Sequence, residues 1–295
     1  MWKNEFKRLF LKKQTILIIL ILVLIGAISF YTSFVNRQSY IQTFNRGYDD
    51  IDPEKMKQLI SHYNGIKFNL DFYLTSDYFQ ILTIILFLYC GIFLAPNVHK
   101  LITSGQENFF LSREKYSNHL KSIIKAQSIY IFSIVLISFA IITIIGFITG
   151  GYGDGITGIG LYNINLIEAI FIIIFQTVLL SILLILVNGI SLMSNVIIKN
   201  KLIIQCVSFV LFMIAPMIIS STIGNIITPI GEFLWYFVPF NLTAIVYWLL
   251  QYNFEYMTII CGICPLILYA IIFKYLFKKN VERFSNDCIW KVKKI

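Results

Sequence analysis

The chain has 295 residues, of which 58% are hydrophobic and only 13% carry a charge. Soluble proteins carry a charge on about a quarter of their residues, so the composition excludes a soluble globular domain and indicates an integral membrane protein. Membrane proteins carry an excess of Lys and Arg on their cytoplasmic side, and such an excess accounts for the net charge of +9. No nucleic-acid partner is needed to explain this charge.

Six apolar runs are long enough to cross the roughly 30 Å hydrocarbon core of a bilayer. Each must be helical, since an open strand in lipid would leave backbone groups without hydrogen-bond partners. The sequence therefore predicts an all-α integral membrane fold, a single transmembrane domain over residues 1–295. Its predicted transmembrane helices are residues 15–32, 78–97, 123–148, 166–193, 202–223 and 257–277.

Basic residues divide unevenly between the connections of these spans. Of the 24 Lys and Arg residues, 19 lie in four regions. These are the N terminus, the second connection, the fourth connection, and the C-terminal tail (278–295) with the end of the sixth span. The remaining five share the first connection with six acids. By the positive-inside rule both termini are expected in the cytoplasm of a cell membrane, and the Ile, Phe, Lys and Asn bias favours a bacterial source.

Residues 1–14 precede the first span. Trp2, Phe6, Leu9 and Phe10 recur with helical spacing, and the basic residues lie mostly off that stripe. We expect an amphipathic helix in the cytoplasmic interface with its aromatic face in lipid. The alternative is a basic flank without such a role.

Residues 33–77 form the largest exterior connection. Asp52, Pro53 and Glu54 supply an N-cap, a proline at the first helical position and a first-turn acid, which predicts a helix over 53–63. The connection is too short for an independent core, so we expect it to pack on the ends of the spans.

The cytoplasmic connection 98–122 combines basic groups with a large apolar cluster. Three consecutive apolar residues away from a span favour a surface that docks a second protein, with an apolar centre and a charged rim. The alternative is a juxtamembrane helix whose bases bind anionic lipid. The residues predicted to dock are Glu107, Phe109, Phe110, Leu111, Ser112 and Arg113.

The fourth and fifth spans carry a polar seam with helical spacing. It predicts either a transport path or interhelical hydrogen bonds that hold the bundle together. An amphipathic cargo suits walls this poor in charge. The seam residues are Thr177, Ser181, Asn188, Ser191, Gln205 and Ser208.

The remaining connections differ in character. Residues 149–165 are glycine-rich and predict a flexible exterior loop, and 194–201 form a short cytoplasmic connection. Residues 224–256 are aromatic, contain two prolines and lack Lys and Arg. They predict an exterior re-entrant hairpin of two short helices in the interfacial belt.

No catalytic or metal-binding pattern emerges from the sequence. A phosphate-binding G-x-x-x-x-G-K-[ST] motif does not occur, and the spans offer no facing ionisable pair. Cys261 and Cys264 could share a helix face, but packing explains such a pair better than metal or redox chemistry. We expect a non-catalytic chain with no cofactor of its own.

In order and topology the chain resembles the membrane subunit of ABC-2 type exporters. The match comprises the amphipathic first helix, six spans with both ends inside, a large first exterior connection and the paired re-entrant helices. That family carries Glu, small residues, Leu-Leu, Ser-Pro-x-Ser-Arg and Lys between spans two and three. This chain has Glu107, Phe109-Phe110-Leu111, Ser112-Arg113 and Lys121 or Lys125, without the proline and with the glycine at Gly105.

The resemblance implies that residues 107–113 form a coupling helix in a groove of a cytoplasmic ATPase, which binds ATP and Mg²⁺. It also implies a second permease subunit, surrounding membrane lipids and outward export of a peptide antibiotic, a lipid or a similar compound, in antimicrobial peptide export or immunity. The alternative from another class is a membrane-anchored sensor whose exterior loop, residues 33–77, binds a ligand.

Overall fold

The computed structural model describes residues 2–46, 64–103, 116–151, 156–159, 162–214, 218, 222, 242–251 and 256–292. These residues are helical apart from one short hairpin and the turns between elements. The helices are α1 (Trp2–Phe10), α2 (Lys13–Asn45), α3 (Gly65–Leu74), α4 (Asp77–Tyr89), α5 (Pro96–Thr103), α6 (Tyr116–Gly150), α7 (Leu166–Met193), α8 (Lys201–Phe209), α9 (Ile245–Gln251) and α10 (Tyr256–Val292). Two π-helical segments, π1 (Cys90–Leu94) and π2 (Val210–Ile214), follow α4 and α8 directly.

Within the described residues, four helical stretches are long and apolar enough to cross a membrane, as expected of a membrane protein. They are Lys13–Thr43, Asp77–Lys100, Tyr116–Gly150 and Leu166–Val196. Helix α7 has the bounds predicted for the fourth span, and α10 includes the predicted sixth span but continues as helix to Val292.

Helices α2 and α6 run parallel to each other. Thr15 Oγ1 lies 2.7 Å from Tyr130 Oη at one end, and Arg37 Nη1 donates to Gly150 O over 3.4 Å at the other. Between these points, a Cβ on Gly26 would lie 2.8 Å from Ile142 Cγ1. We call the end that holds Lys12, Lys100, Lys121 and Lys199 the basic end, and the end at Gly150 the opposite end.

A broken helix runs from the opposite end to the basic end between α2 and α6. Helix α3 starts where Gly65 N donates to Gly151 O over 2.9 Å and reaches Phe139, whose carbonyl accepts from Tyr73 Oη over 3.0 Å. Phe79 of α4 also packs against Phe139, with ring centroids 6.0 Å apart. The chain therefore steps sideways at residues 75–76 before α4 and π1 continue in the same direction.

At both ends of residues 33–77 the structure differs from the predicted exterior connection. Helix α2 continues to Asn45, and α3 is a buried helix in which Phe68, Asn69 and Tyr73 are at most 1% exposed. A Cβ on Gly150 would lie 2.5 Å from Gly65 Cα, so the two glycines allow the backbones of α3 and α6 to touch. The predicted helix 53–63 lies outside the described residues.

Helix α1 (Trp2–Phe10) lies within the predicted residues 1–14 but ends earlier, and its surroundings differ from the prediction. Leu9 is buried, Phe6 and Phe10 are partly buried with stacked rings, and all three pack against the protein. Trp2 lies under the Lys125 ammonium group of α6, 4.8 Å from the ring centroid. The aromatic stripe thus packs on the protein, chiefly on α6, which corrects the expectation of an aromatic face in lipid.

Part of the glycine-rich stretch is a hairpin instead of a flexible loop. Strands β1 (Ile156–Ile159) and β2 (Tyr162–Ile164) pair antiparallel, with Ile156 opposite Ile164. Helix α7 then begins with a capping box, in which Glu168 N donates to Asn165 Oδ1 and Asn165 N donates to Glu168 Oε2, each over 2.9 Å. This contact explains an acid at the start of an apolar helix.

Helix α9 lies in the stretch predicted to be re-entrant. Gln176 of α7 donates its side-chain amide to Thr243 O, and a Cβ on Gly262 of α10 would lie 3.0 Å from Ile245 Cγ1. Gln176 lies about 15 Å along α7 from Leu166, so α9 begins well inside the bundle. Residues 224–241, and 215–223 except 218 and 222, lie outside the described parts of the chain.

Candidate functional site

A chain of buried amides connects three elements of the bundle. Gln127 of α6 donates its Nε2 to Leu94 O at the end of π1 over 3.1 Å. Asn188 of α7 donates its Nδ2 to Gln127 Oε1 over 2.9 Å. Gln127 is 1% exposed and Asn188 is 3% exposed, so these bonds form away from bulk water.

A second set of bonds ties α8 to the same region. Ser208 and Ser191 place their hydroxyl oxygens 2.8 Å apart, and Gln205 donates its Nε2 to Ile92 O over 3.1 Å. We call the two sets together the inner polar network. Its side chains are Gln127, Asn188, Ser191, Gln205 and Ser208, and its main-chain acceptors are Ile92 O and Leu94 O.

The irregular hydrogen bonding of π1 explains why polar side chains lie beside it. Ala95 N donates to Cys90 O over 3.0 Å, a bond across five residues instead of four. Such a turn inserts a residue into the helix and disturbs the regular ladder of carbonyl acceptors. The amides of Gln205 and Gln127 bond the Ile92 and Leu94 carbonyls there.

Gly91 allows α8 to approach π1 at backbone distance. A Cβ on Gly91 would lie 2.4 Å from Gln205 O and 3.3 Å from Ser208 Cβ. The contact is between the two main chains, so a rotamer change could not relieve a clash with Gln205 O. Helix α8, which contacts π1 here, is itself followed directly by the second π-helical segment, π2.

The structure divides the predicted seam into two parts. Asn188, Ser191, Gln205 and Ser208 come together in the inner polar network. Thr177 and Ser181 are also buried, but each hydroxyl donates to its own helix, to Ile173 O and Thr177 O over 2.7 Å. Sequence reasoning missed Gln127, although a lone glutamine within an apolar span was a visible signal.

The predicted docking residues Glu107, Phe109, Phe110, Leu111, Ser112 and Arg113 lie outside the described residues. The structure does describe the residues on either side of this segment. Helix α5 ends at Thr103 and α6 starts at Tyr116, and Lys100 and Lys121 lie at the basic end.

A second polar cluster, which we call the basal junction, lies at the start of α6. Asn280 of α10 donates its Nδ2 to Asn195 Oδ1 over 2.7 Å and accepts from Tyr116 Oη over 3.4 Å. Arg283, one turn further along α10, donates to Val196 O over 2.6 Å. Asn280 is fully buried, so α10 is fastened to α6 and to the connection after α7.

Replacing Asn280 with Leu should loosen this junction. The change removes both amide bonds and leaves Asn195 without its donor, which is expected to cost about 2 kcal/mol of unfolding free energy. Hydrogen exchange should rise at residues 116–120 and 194–200. Lys278→Leu, an exposed change two residues away, should alter the unfolding free energy by less than about 0.5 kcal/mol; equal effects of the two variants would contradict the role of Asn280.

The inner polar network offers hydrogen bonds and no titratable group. Its members are amides, hydroxyls and carbonyls, and the described residues contain no group of three His, Cys, Asp or Glu side chains placed to hold a metal. Asn188 Oδ1 is buried without a hydrogen-bond partner. The arrangement can therefore hold helices together or contact a polar group of a bound molecule.

Comparison with known proteins gave no match among family models, curated proteins or solved structures.

Proposed function

We propose that the chain is the membrane-spanning subunit of an ATP-driven exporter of the ABC-2 permease class. The observation that carries the proposal is the arrangement of the basic end. There α1 packs on α6, and α5 and α6 end and begin on either side of residues 104–115. A segment between two helices of one bundle can transmit motion of a docked protein to both.

The proposed topology has six crossings with both termini cytoplasmic. Parallel α2 and α6 alternate with the crossing formed by α3, α4 and π1 and with α7, which gives two of the three outward–inward pairs that six crossings require. Helix α8 with π2 supplies the start of the fifth crossing and α10 the sixth. Helix α9 supports a re-entrant segment, because it lies beside Gln176 inside the bundle. The excess of Lys and Arg at the basic end supports a cytoplasmic location for that end.

In this proposal a cytoplasmic ATPase docks on residues 107–113, with Phe109, Phe110 and Leu111 in its groove and with Glu107, Arg113 and Lys115 at the rim. ATP and Mg²⁺ bind to that partner chain, and this chain is not catalytic. A second permease subunit completes the transporter, and the cargo is amphipathic, such as a peptide antibiotic or a lipid. The internal bonds of Ser191, Gln205 and Ser208 support a packing role for the seam, and its role as a transport path stays a prediction.

Co-purification in mild detergent tests the proposal. The tagged chain should bring down a protein with a P-loop that hydrolyses ATP, and Phe109→Asp should abolish both recovery and ATPase activity, because a carboxylate would be desolvated in an apolar groove. Phe109→Leu is the matched control, since it keeps an apolar side chain and should retain most of the partner.

Two results would contradict the proposal. The first is the absence of an ATPase in several mild detergents while the chain stays folded. The second is equal ATPase recovery with Phe109→Asp and wild type. A ligand effect that depends on residues 33–77 and is indifferent to Phe109 would favour the sensor alternative, in which that exterior connection binds the ligand.

A further inference from the structure

Three hydroxyl groups from three helices form a buried chain of hydrogen bonds between α1 and the start of π1. Thr15 Oγ1 of α2 donates to Leu9 O of α1 over 2.9 Å and lies 2.7 Å from Tyr130 Oη of α6. Tyr130 Oη in turn lies 2.5 Å from Tyr89 Oη of α4. Thr15 and Tyr130 are 1% exposed and Tyr89 is 8% exposed, so bulk water does not compete for these bonds. We call the three side chains the hydroxyl chain.

The direction of each bond in the hydroxyl chain follows from the number of protons available. A hydroxyl group has a single proton to donate, and Thr15 uses its proton for Leu9 O. Thr15 must then accept a hydrogen bond from Tyr130, and Tyr130 must accept one from Tyr89. All three protons therefore point toward α1, and Leu9 O is the acceptor that sets this direction.

The far end of the hydroxyl chain adjoins π1. Tyr89 is the last residue of α4, and π1 begins at Cys90, whose carbonyl accepts from Ala95 N over 3.0 Å. In a regular α-helix Ala95 N would instead bond Gly91 O, four residues back. A change between these two registers turns the helix before π1 relative to the helix after it by about 100°. Such a turn would pull Tyr89 Oη away from Tyr130, so the hydroxyl chain opposes it.

The register of π1 also decides whether α8 can stay close. Gly91 lies where a Cβ would be 2.4 Å from Gln205 O. A shift by one residue would replace Gly91 at this contact with Cys90 or Ile92, which carry side chains, so α8 would have to move away. The π-helical register is therefore the one that allows the main chains of π1 and α8 to touch.

We propose that α1 controls the register of π1 through the hydroxyl chain. While α1 packs on α6, Leu9 O accepts from Thr15, all three protons point toward α1, and Tyr89 stays fixed. When α1 separates from α6, Thr15 loses that acceptor and turns its proton to Tyr130, which turns its own proton to Tyr89. The Tyr89 proton then has no acceptor, Tyr89 is held less firmly, and π1 can change register so that α8 moves away. The inference does not depend on the proposed transport function.

Amide hydrogen exchange of the purified full chain in detergent tests this coupling. Trp2→Ala combined with Phe6→Ala removes aromatic contacts of α1 with the rest of the protein and leaves the hydroxyl chain intact. Faster exchange within α1 shows that the helix has loosened, and the amides of residues 90–95 and 201–209 should then exchange about fivefold faster. In a Tyr130→Phe background, where the hydroxyl chain is cut, the same pair of changes should alter these rates by less than about twofold.

Tyr73→Phe is the matched control background, because it removes a buried hydroxyl that donates to Phe139 O over 3.0 Å and is not part of the hydroxyl chain. In that background the loosening of α1 should keep its full effect on residues 90–95. Tyr89→Phe is a milder cut, since it leaves no donor without an acceptor, and it should abolish the effect as Tyr130→Phe does. Unchanged exchange at 90–95 while α1 loosens would overturn the proposal, and so would an equal increase in the Tyr130→Phe background.

Discussion

Substitution of Gly91 by Ala is expected to destabilise the bundle by about 3 kcal/mol, the upper part of the usual range for overpacking. The new methyl group would lie 2.4 Å from Gln205 O, roughly 1 Å closer than ordinary contact. Because the obstacle is main chain, α8 must move away from π1, and the bond from Gln205 Nε2 to Ile92 O is expected to lengthen or break. Unfolding in mixed micelles measures the loss.

Gly262→Ala is the control for this experiment. Its Cβ would meet Ile245 Cγ1 at 3.0 Å, and a side chain can adjust where a backbone cannot. Alanine is also the better helix former by about 1 kcal/mol, so the net change should be within about 1 kcal/mol. If Gly91→Ala proved equally mild, the close approach of α8 to π1 would not hold in the protein.

Replacing Gln127 with Leu should cost about 2 kcal/mol of unfolding free energy. The change leaves both Leu94 O and Asn188 Nδ2 without the partners they have in the inner polar network, and each orphaned buried group is costly. Ser133→Ala is a suitable control on the same helix, because the Ser133 hydroxyl donates within its own helix, to Ile129 O, and its removal should cost little.

A double-mutant cycle separates the pair from its surroundings. Asn188→Leu removes an amide whose Oδ1 has no partner, so it should cost less than Gln127→Leu. The double variant should be more stable than the sum of the single losses predicts, by about 1 kcal/mol, since it removes donor and acceptor together. Strict additivity would show that the two amides do not interact.

The long apolar helices could be predicted from the sequence, because length and hydropathy decide a membrane crossing. Leu166–Met193 has the predicted bounds for that reason, and its capping box fixes the first residue. Helix α3 could not be found in this way. Asn69 and Asp71 interrupt its apolar run, and the burial of Asn69 depends on Gly146 and Gly65, which allow α3 to lie against α6.

Only part of the inner polar network could be predicted from the sequence. Helical spacing on α7 identifies Asn188 and Ser191 as one face, but nothing local shows that their partners come from α6 and α8. The π1 segment has the same apolar composition as the helix before it, so its register shift at Cys90 leaves no signal. Asn280 was likewise assigned to a cytoplasmic tail, since its partner Asn195 is 85 residues away in the chain.

Helix α10 would act as a lever if it moved as a rigid rod about its buried contacts at Asn280. About 36 Å of the helix lies on the side of Tyr256 and about 18 Å on the side of Val292. A rod that turns about this point moves its long arm twice as far as its short arm, so a push of about 2 Å near Val292 becomes a displacement of about 4 Å at Tyr256. Pro265 lies in the long arm, where bending would absorb part of that gain.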